Sequence, residues 1–202
     1  KAAGTTISLP SIRQRLPGGE ELQRVWLRLG GGTVPDSGRA AEGEHMVMAS
    51  TLRKLSARQF RLMTNAYPVF LMGGVRIEHV ADDWSSVTVR HKVSGWNKNH
   101  AGAAFGGILS MMTDPFFGLM ALWQLGDGYR VWNTTATTEF VRPGRGLVRV
   151  TMLMPPEDMA KIRGNLEADG VSRTNHSAEL VGADGELVAR TSQELYVRKH
   201  SR

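Results

Sequence analysis

The stretch Asn97-Lys98-Asn99-His100-Ala101-Gly102-Ala103-Ala104-Phe105-Gly106-Gly107-Ile108-Leu109-Ser110-Met111-Met112-Thr113-Asp114-Pro115 runs a glycine-rich loop into an apolar segment that carries one carboxylate. Continued to Leu125, the segment shows Ile108, Leu109, Met111, Met112, Phe116, Phe117, Leu119, Met120, Leu122 and Trp123 on every side of a helix. The pattern predicts one helix over about 107–125, buried all round. Asp114 interrupts it near the middle, and Pro115 has no N–H to give the carbonyl of Met111, so polarity and strain coincide there. A carboxylate in so apolar a helix is expected to be a stronger base than usual, which marks a candidate active site.

Composition narrows what such a site does. With Cys at 0 there is no disulfide, thiolate metal site or cysteine nucleophile. The apolar run is broken by Ser110, Thr113, Asp114 and Gln124, short of the ~18 uninterrupted apolar residues of a membrane span, so a soluble, cytoplasmic protein without stable membrane insertion is expected. Lys+Arg of 25 against Asp+Glu of 19 gives a formal charge of +6, which favours anionic partners. The arginines are scattered, with no run of basic residues interleaved with aromatics, so nucleic acid is not expected among them. His79, His91, His100 and His176 lack metal-site spacing, and Ser110 has no Gly-x-Ser-x-Gly setting.

Outward from the opening stretch, residues 1–48 are rich in turn signals (Pro10, Pro17, the Gly30-Gly31-Gly32 run) and read as an extension. Leu22, Val25, Trp26 and Leu29 fall at helical spacing in it. Residues 49–202 read as one domain. Ser56-Ala57-Arg58-Gln59 has the form of a capping box opening a helix over about 57–66, which Pro68 ends. Val75, Ile77 and His79 alternate, Asp82-Asp83 turns the chain, and Val87, Val89 and His91 alternate again, predicting an antiparallel pair. Val131–Val141 and Val148–Met154 predict a second hairpin about the Arg142–Gly146 turn. A short helix is expected after Pro155-Pro156, and a third hairpin over 177–197. One long helix against about six antiparallel strands is an α+β plan.

If Gly106-Gly107 opens the helix, its free amides and positive dipole end form a seat for an oxyanion. Gly107 and Asp114 are seven positions apart, two turns or about 10 Å along the axis. That is too far for both to reach one carbonyl within a chain, so a symmetric dimer that sets Asp114 opposite the partner's loop is expected. Taken singly, Asn99 reads equally as a turn cap and the glycines as packing residues.

Asn99, Gly106-Gly107 and Asp114, with the Arg142-Pro143-Gly144-Arg145-Gly146 turn, resemble the PaaI-like hotdog-fold acyl-CoA thioesterases, and in particular a branch described only as a domain of unknown function. The resemblance covers about residues 67–198. It implies a hotdog fold, a six-stranded antiparallel sheet wrapped around a central helix, in a homodimer that can pair into a homotetramer. It implies acyl thioester hydrolysis with no cofactor beyond the CoA of the substrate. Asn99 and the Gly106 N–H would bind the thioester oxygen, and Asp114 of the other subunit would activate water or attack. The family's His before the glycines is Phe105 here. That departure keeps open a second reading, a non-catalytic acyl-CoA or fatty-acyl binding module. A hydratase of related fold would need a motif that is absent. By register with Pro143, Asn133 and Thr134 match a further polar position. Gly107, Phe105 and Met111 line the mouth or an acyl tunnel, and Arg142 and Arg145 are candidates for CoA phosphates or plain turn charges.

Overall fold

Ser56 opens the first described helix with the expected reciprocal cap. Its Oγ accepts the Gln59 N–H at 3.2 Å while its own N–H donates to Gln59 Oε1 at 2.9 Å, satisfying donors the first helical turn leaves free. The computed structural model of the protein describes residues 55–200, all within a compact unit spanning 50–202. The expected extension and the helix read at Leu22–Leu29 lie outside the described residues.

Helix α1 (Ala57–Ala66) ends at Tyr67, extended ahead of Pro68, and a second helix not anticipated from sequence, α2 (Pro68–Gly73), follows at once. Proline at its first position costs no hydrogen bond, and Gly74 closes it at φ 68°. Strands β1 (Val75–Val80) and β2 (Ser86–Lys92) pair antiparallel, with a bulge between Ile77 and His79. Asp83 Oδ1 holds their turn by accepting the Ser85 N–H at 3.0 Å and O–H at 2.6 Å. Trp84 takes a left-handed φ of 59° beside it, held by its ring, which stacks on Trp123 at 4.1 Å and meets Phe60 edge-on at 5.0 Å.

The single long helix is not what forms. The chain makes α3 (Gly106–Met111), a turn over 112–115, and α4 (Phe116–Leu125). Around Pro115 the bonds tighten to i+3, from Thr113 N to Ser110 O at 3.1 Å and from Phe116 N to Thr113 O at 3.2 Å. The missing proline N–H breaks the helix instead of merely bending it.

Strands β3 (Tyr129–Phe140), β4 (Leu147–Leu153), β5 (Val171–Gly182) and β6 (Leu187–Lys199) complete a six-stranded sheet in the order β1-β2-β4-β5-β6-β3, with α5 (Pro156–Asp169) between β4 and β5. The expected β3–β4 hairpin is therefore wrong. β3 pairs with β6, and β4 sits between β2 and β5. The Arg142–Gly146 segment is a crossover, tied down by Val141 N and Arg142 N to Val188 O and by Ala104 N to Gly144 O. Gly144 is closely packed, since a Cβ there would lie 3.0 Å from the side chains of both Val148 and Val188 and push on them.

Helix α4 touches β2 and β4 as well as β3 at the far edge. Strands four places apart in a flat sheet are about 19 Å distant, nearly twice a helix diameter, so the sheet must curl around α4. Phe116, Phe117, Met120 and Ala121 fill the curl with no exposed surface. They meet inward-facing pairs such as Val87 opposite Met152 and Val89 opposite Val150. Under α5 the inward positions of β5 are polar: Ser172, Thr174 and His176 are all buried. His176 accepts or donates to Thr174 Oγ1 at 2.8 Å and lies 3.5 Å from Asp158. Burial lowers its pKa, with the Asp158 carboxylate opposing. Burial likewise lowers that of His91.

Candidate active site

The loop between β2 and α3 is built by two asparagines. Asn97, buried, accepts the Ser94 N–H at 2.7 Å and donates to the carbonyls of Lys92 at 3.0 Å and Gly73 at 3.5 Å, pinning the loop to the end of α2. Asn99 Oδ1 accepts the N–H groups of Ala101 at 2.9 Å and Ala103 at 3.1 Å, and its Nδ2 gives a long bond to Ala104 O at 3.4 Å. This is the turn-capping role, and it fixes the side chain's position while leaving one Nδ2 hydrogen over.

At the start of α3 the Gly106 and Gly107 amides have no intrahelical acceptor, and Phe105 supplies no side-chain cap. The helix has six residues, so it adds little macrodipole, and any oxyanion seat depends on these local amides.

Asp114 occupies the turn between α3 and α4 and is exposed. The expectation of a carboxylate buried in an apolar helix is corrected. Because the helix breaks, the turn carries Asp114 to the surface. Its main chain is fixed from behind: Asn133 Nδ2 donates to the Asp114 carbonyl at 2.6 Å and to Gln193 Oε1 at 3.1 Å. Gln193 Nε2 continues to Thr113 Oγ1 at 3.2 Å, and Thr113 to Ser110 O at 3.1 Å. Ser110 Oγ meets Thr138 Oγ1 at 2.9 Å. Gln193 and Thr113 are buried, and the buried Asn133 Oδ1 has no partner among the described residues.

Two shallow grooves border this region. One, about 440 Å³, is lined by residues including Gly107, Ser110, Met111, Asp114, Thr138 and Gln193. The other, about 390 Å³, is lined by residues including Asn99, Ala103, Gly106, Leu109 and Arg142. The structure thus brings Asn99 together with Gly106, and Gly107 and Met111 together with Asp114, but sets the two groups in separate grooves of one chain. Asn133 lies behind the second. Thr134 does not join it: at the bulge in β3 its hydroxyl turns to Glu194. That contact, with the Arg173 guanidinium at 2.7 Å, holds the Glu194 carboxyl below its usual pKa. Phe105 is half exposed and lines neither groove.

Arg142 is committed to the β5–β6 turn, donating to Asp184 Oδ1 at 2.6 Å and to the carbonyls of Leu187 at 2.9 Å and Glu186 at 3.0 Å. The Asp184 carboxylate faces the same surface hollow as both arginines. Arg145 is exposed, with one long bond to Gly102 O at 3.4 Å, and is the freer cation of the two. Among the described residues no three acidic or histidine side chains gather as a metal site, and no helix is long and apolar enough to cross a membrane.

Sequence reasoning missed Thr113, Thr138 and Gln193. A signal existed for Gln193: it falls at an inward position of β6, in alternation with Leu195 and Val197, where a polar residue requires a partner.

A family model described as a domain of unknown function, DUF4442, matches residues 56–197. No curated protein matches. Among solved structures, a protein of unknown function from Pseudomonas aeruginosa named as a probable thioesterase is 23% identical, with TM-score 0.65, covering 72% of this chain and 97% of its own. A thioesterase from Haemophilus influenzae is 11% identical, with TM-score 0.55, covering 73% and 94%. The PaaI protein of the E. coli phenylacetic acid degradation operon is 16% identical, with TM-score 0.50, covering 76% and 96%. This chain belongs to the DUF4442 family, and its fold is the hotdog fold of the PaaI-like thioesterases.

Proposed function

We propose that the protein is an acyl-CoA thioester hydrolase whose site is shared between two copies of the chain. The observation that carries the reading is the division of the site. Asn99 and Gly106, whose Nδ2 and N–H are candidate donors to an oxyanion, line one groove, while Asp114, a carboxylate able to act as base, lines the other.

Dimer formation supplies what one chain lacks. Strand β3 is a twelve-residue strand that, among the described residues, lies at the sheet edge and is paired on one side, largely exposed, and bearing Trp132 and Phe140 on its surface. An edge of that length is a template for pairing with a second copy. Both grooves border its residues, so pairing there covers them and brings the partner's carboxylate toward the donors.

In the reaction, Asp114 takes a proton from water as the water oxygen bonds to the thioester carbon. The negative charge that develops on the carbonyl oxygen is met by Asn99 and Gly106, an arrangement worth a few kcal/mol per donor. Collapse restores the carbonyl, breaks the C–S bond and releases the CoA thiolate, which is protonated, leaving a free carboxylic acid. Arg145 suits a CoA phosphate better than Arg142, whose Nε and Nη2 are already bonded to the β5–β6 turn.

A second reading, an acyl-CoA binding module, is favoured by the extent to which Asn99 already serves its own loop. Incubation with short, long and aromatic acyl-CoAs separates the two. The hydrolase releases free thiol from at least one class, whereas saturable binding with no thiol released is the outcome of a module.

A further inference from the structure

We infer that Phe140 is the residue that determines which acyl groups the site accepts, a conclusion that rests on the thioester reading above. Phe140 ends β3 and, among the described residues, is the one common to the linings of both grooves. Its ring lies directly on Gly106: a Cβ added to that glycine would stand 2.8 Å from Cζ and 3.2 Å from Cε1. The ring is therefore the wall between the groove holding Asn99 and Gly106 and the groove holding Asp114, and it covers the glycine proposed to bind the thioester oxygen.

Its root is fixed. Phe140 pairs with Ala189, and the next two amides, Val141 and Arg142, both donate to Val188 O at 2.9 and 3.1 Å, so only the side-chain torsions can move the ring. The two grooves offer different chemistry on its two sides. Around Asn99 the walls carry no hydroxyl, combining small residues such as Ala101, Ala103 and Gly144 with Leu109, Val141 and Pro143. Around Asp114 they carry hydroxyls, Ser110, Thr137 and Thr138, beside Met111. A thioester seated on Gly106 has its acyl and thiol portions running away from that point in different directions. Whichever portion leaves past β3 meets the Phe140 ring, which no other side chain among the described residues duplicates as a shared wall. A rigid ring in that place admits slim groups and rejects bulky ones, and its removal joins the grooves into one trough.

The experiment compares wild type with Phe140→Ala, Phe140→Leu and Phe140→Trp in two readouts. The first is kcat/KM for thiol release from short linear, branched and aromatic acyl-CoAs. The second is the equilibrium affinity for the corresponding S-alkyl-CoA thioethers, which cannot be hydrolysed. Phe140→Ala is expected to raise the preference for branched and aromatic over short linear groups by roughly tenfold or more, Phe140→Leu by less, and Phe140→Trp to lower it. If Phe140→Ala fails to fold, the Leu and Trp variants moving the preference in opposite directions carry the same conclusion. An unchanged order of preference in all variants overturns the inference, as does a uniform loss across every acyl group, the mark of a merely structural ring. If no thiol is released by wild type but the thioether affinities reorder as described, the hydrolase reading falls and the role of Phe140 stands. If wild type binds none of the thioethers, both fall.

Discussion

Replacing Asp114 by alanine is expected to cut thioester hydrolysis by roughly two to four orders of magnitude, the span general-base catalysis contributes, and to leave the fold intact. The structure separates these two effects cleanly. The residue is exposed, in a turn between helices, and its carboxylate makes no hydrogen bond or ion pair to another described residue. What fixes the turn is its main-chain carbonyl, held by Asn133 at 2.6 Å, and that bond survives any substitution of the side chain. Stability should therefore stay within about 0.5 kcal/mol of wild type, as for surface changes generally. Asp114→Asn keeps the shape and removes the base, so it should be nearly as inactive as Asp114→Ala. Steady-state kinetics on the best acyl-CoA, beside thermal denaturation of the same samples, check both halves. An active Asp114→Asn enzyme would remove Asp114 from the proton-transfer step.

Three residues further on, the expectation reverses. Phe117→Ala should destabilise the domain by about 3–5 kcal/mol, in the range of buried aromatic truncations, and lower the melting temperature on the order of 10 °C for a unit of this size. Phe117 is wholly buried in the curl of the sheet, and its ring stacks on His176 at 5.4 Å. Truncation leaves a void beside a buried imidazole, and the neighbours that would have to close it belong to strands fixed by their ladders. Phe117→Leu, which refills most of the space, should cost markedly less. A loss below about 1 kcal/mol for the alanine variant would mean that the core repacks around α4 more freely than its density implies.

The contrast between Asp114 and Phe117 also shows where the sequence speaks and where it does not. An apolar run that is hydrophobic on all sides carries no information about facing, so the carboxylate within it reads as buried. Pro115 was visible, but its consequence, a full break that turns Asp114 outward, depends on Asn133 and the edge strand being there to receive the turn. Local signals served well: the Ser56–Gln59 box, the β1–β2 pair about Asp82-Asp83, and the β5–β6 hairpin each depend on contacts close in sequence. The β3–β4 pairing failed because the Arg142–Gly146 segment looks like a turn and acts as a crossover, and only the distant residues Ala104 and Val188 that bind it reveal the difference. The spacing of Asn99, Gly106 and Asp114 pointed to a divided site, and the structure places Asn99 and Gly106 along one groove and Asp114 along another. The buried polar chain through Thr113, Gln193 and Asn133 went unread because it joins elements far apart in sequence.

The central claim, that one chain's donors work with the partner's carboxylate, is tested most directly by mixing two inactive variants. Asn99→Asp retains the oxygen that accepts the Ala101 and Ala103 N–H groups while removing the N–H donor and placing a negative charge where the oxyanion forms. Asp114→Ala removes the base. Co-expressed, the two chains should form mixed dimers in which one of the two shared sites is fully intact, and statistical assortment predicts recovery of about a quarter of wild-type hydrolysis. Recovery toward that level from two inactive parents is the predicted result. A mixed population that forms dimers yet stays as inactive as its parents would contradict the shared site.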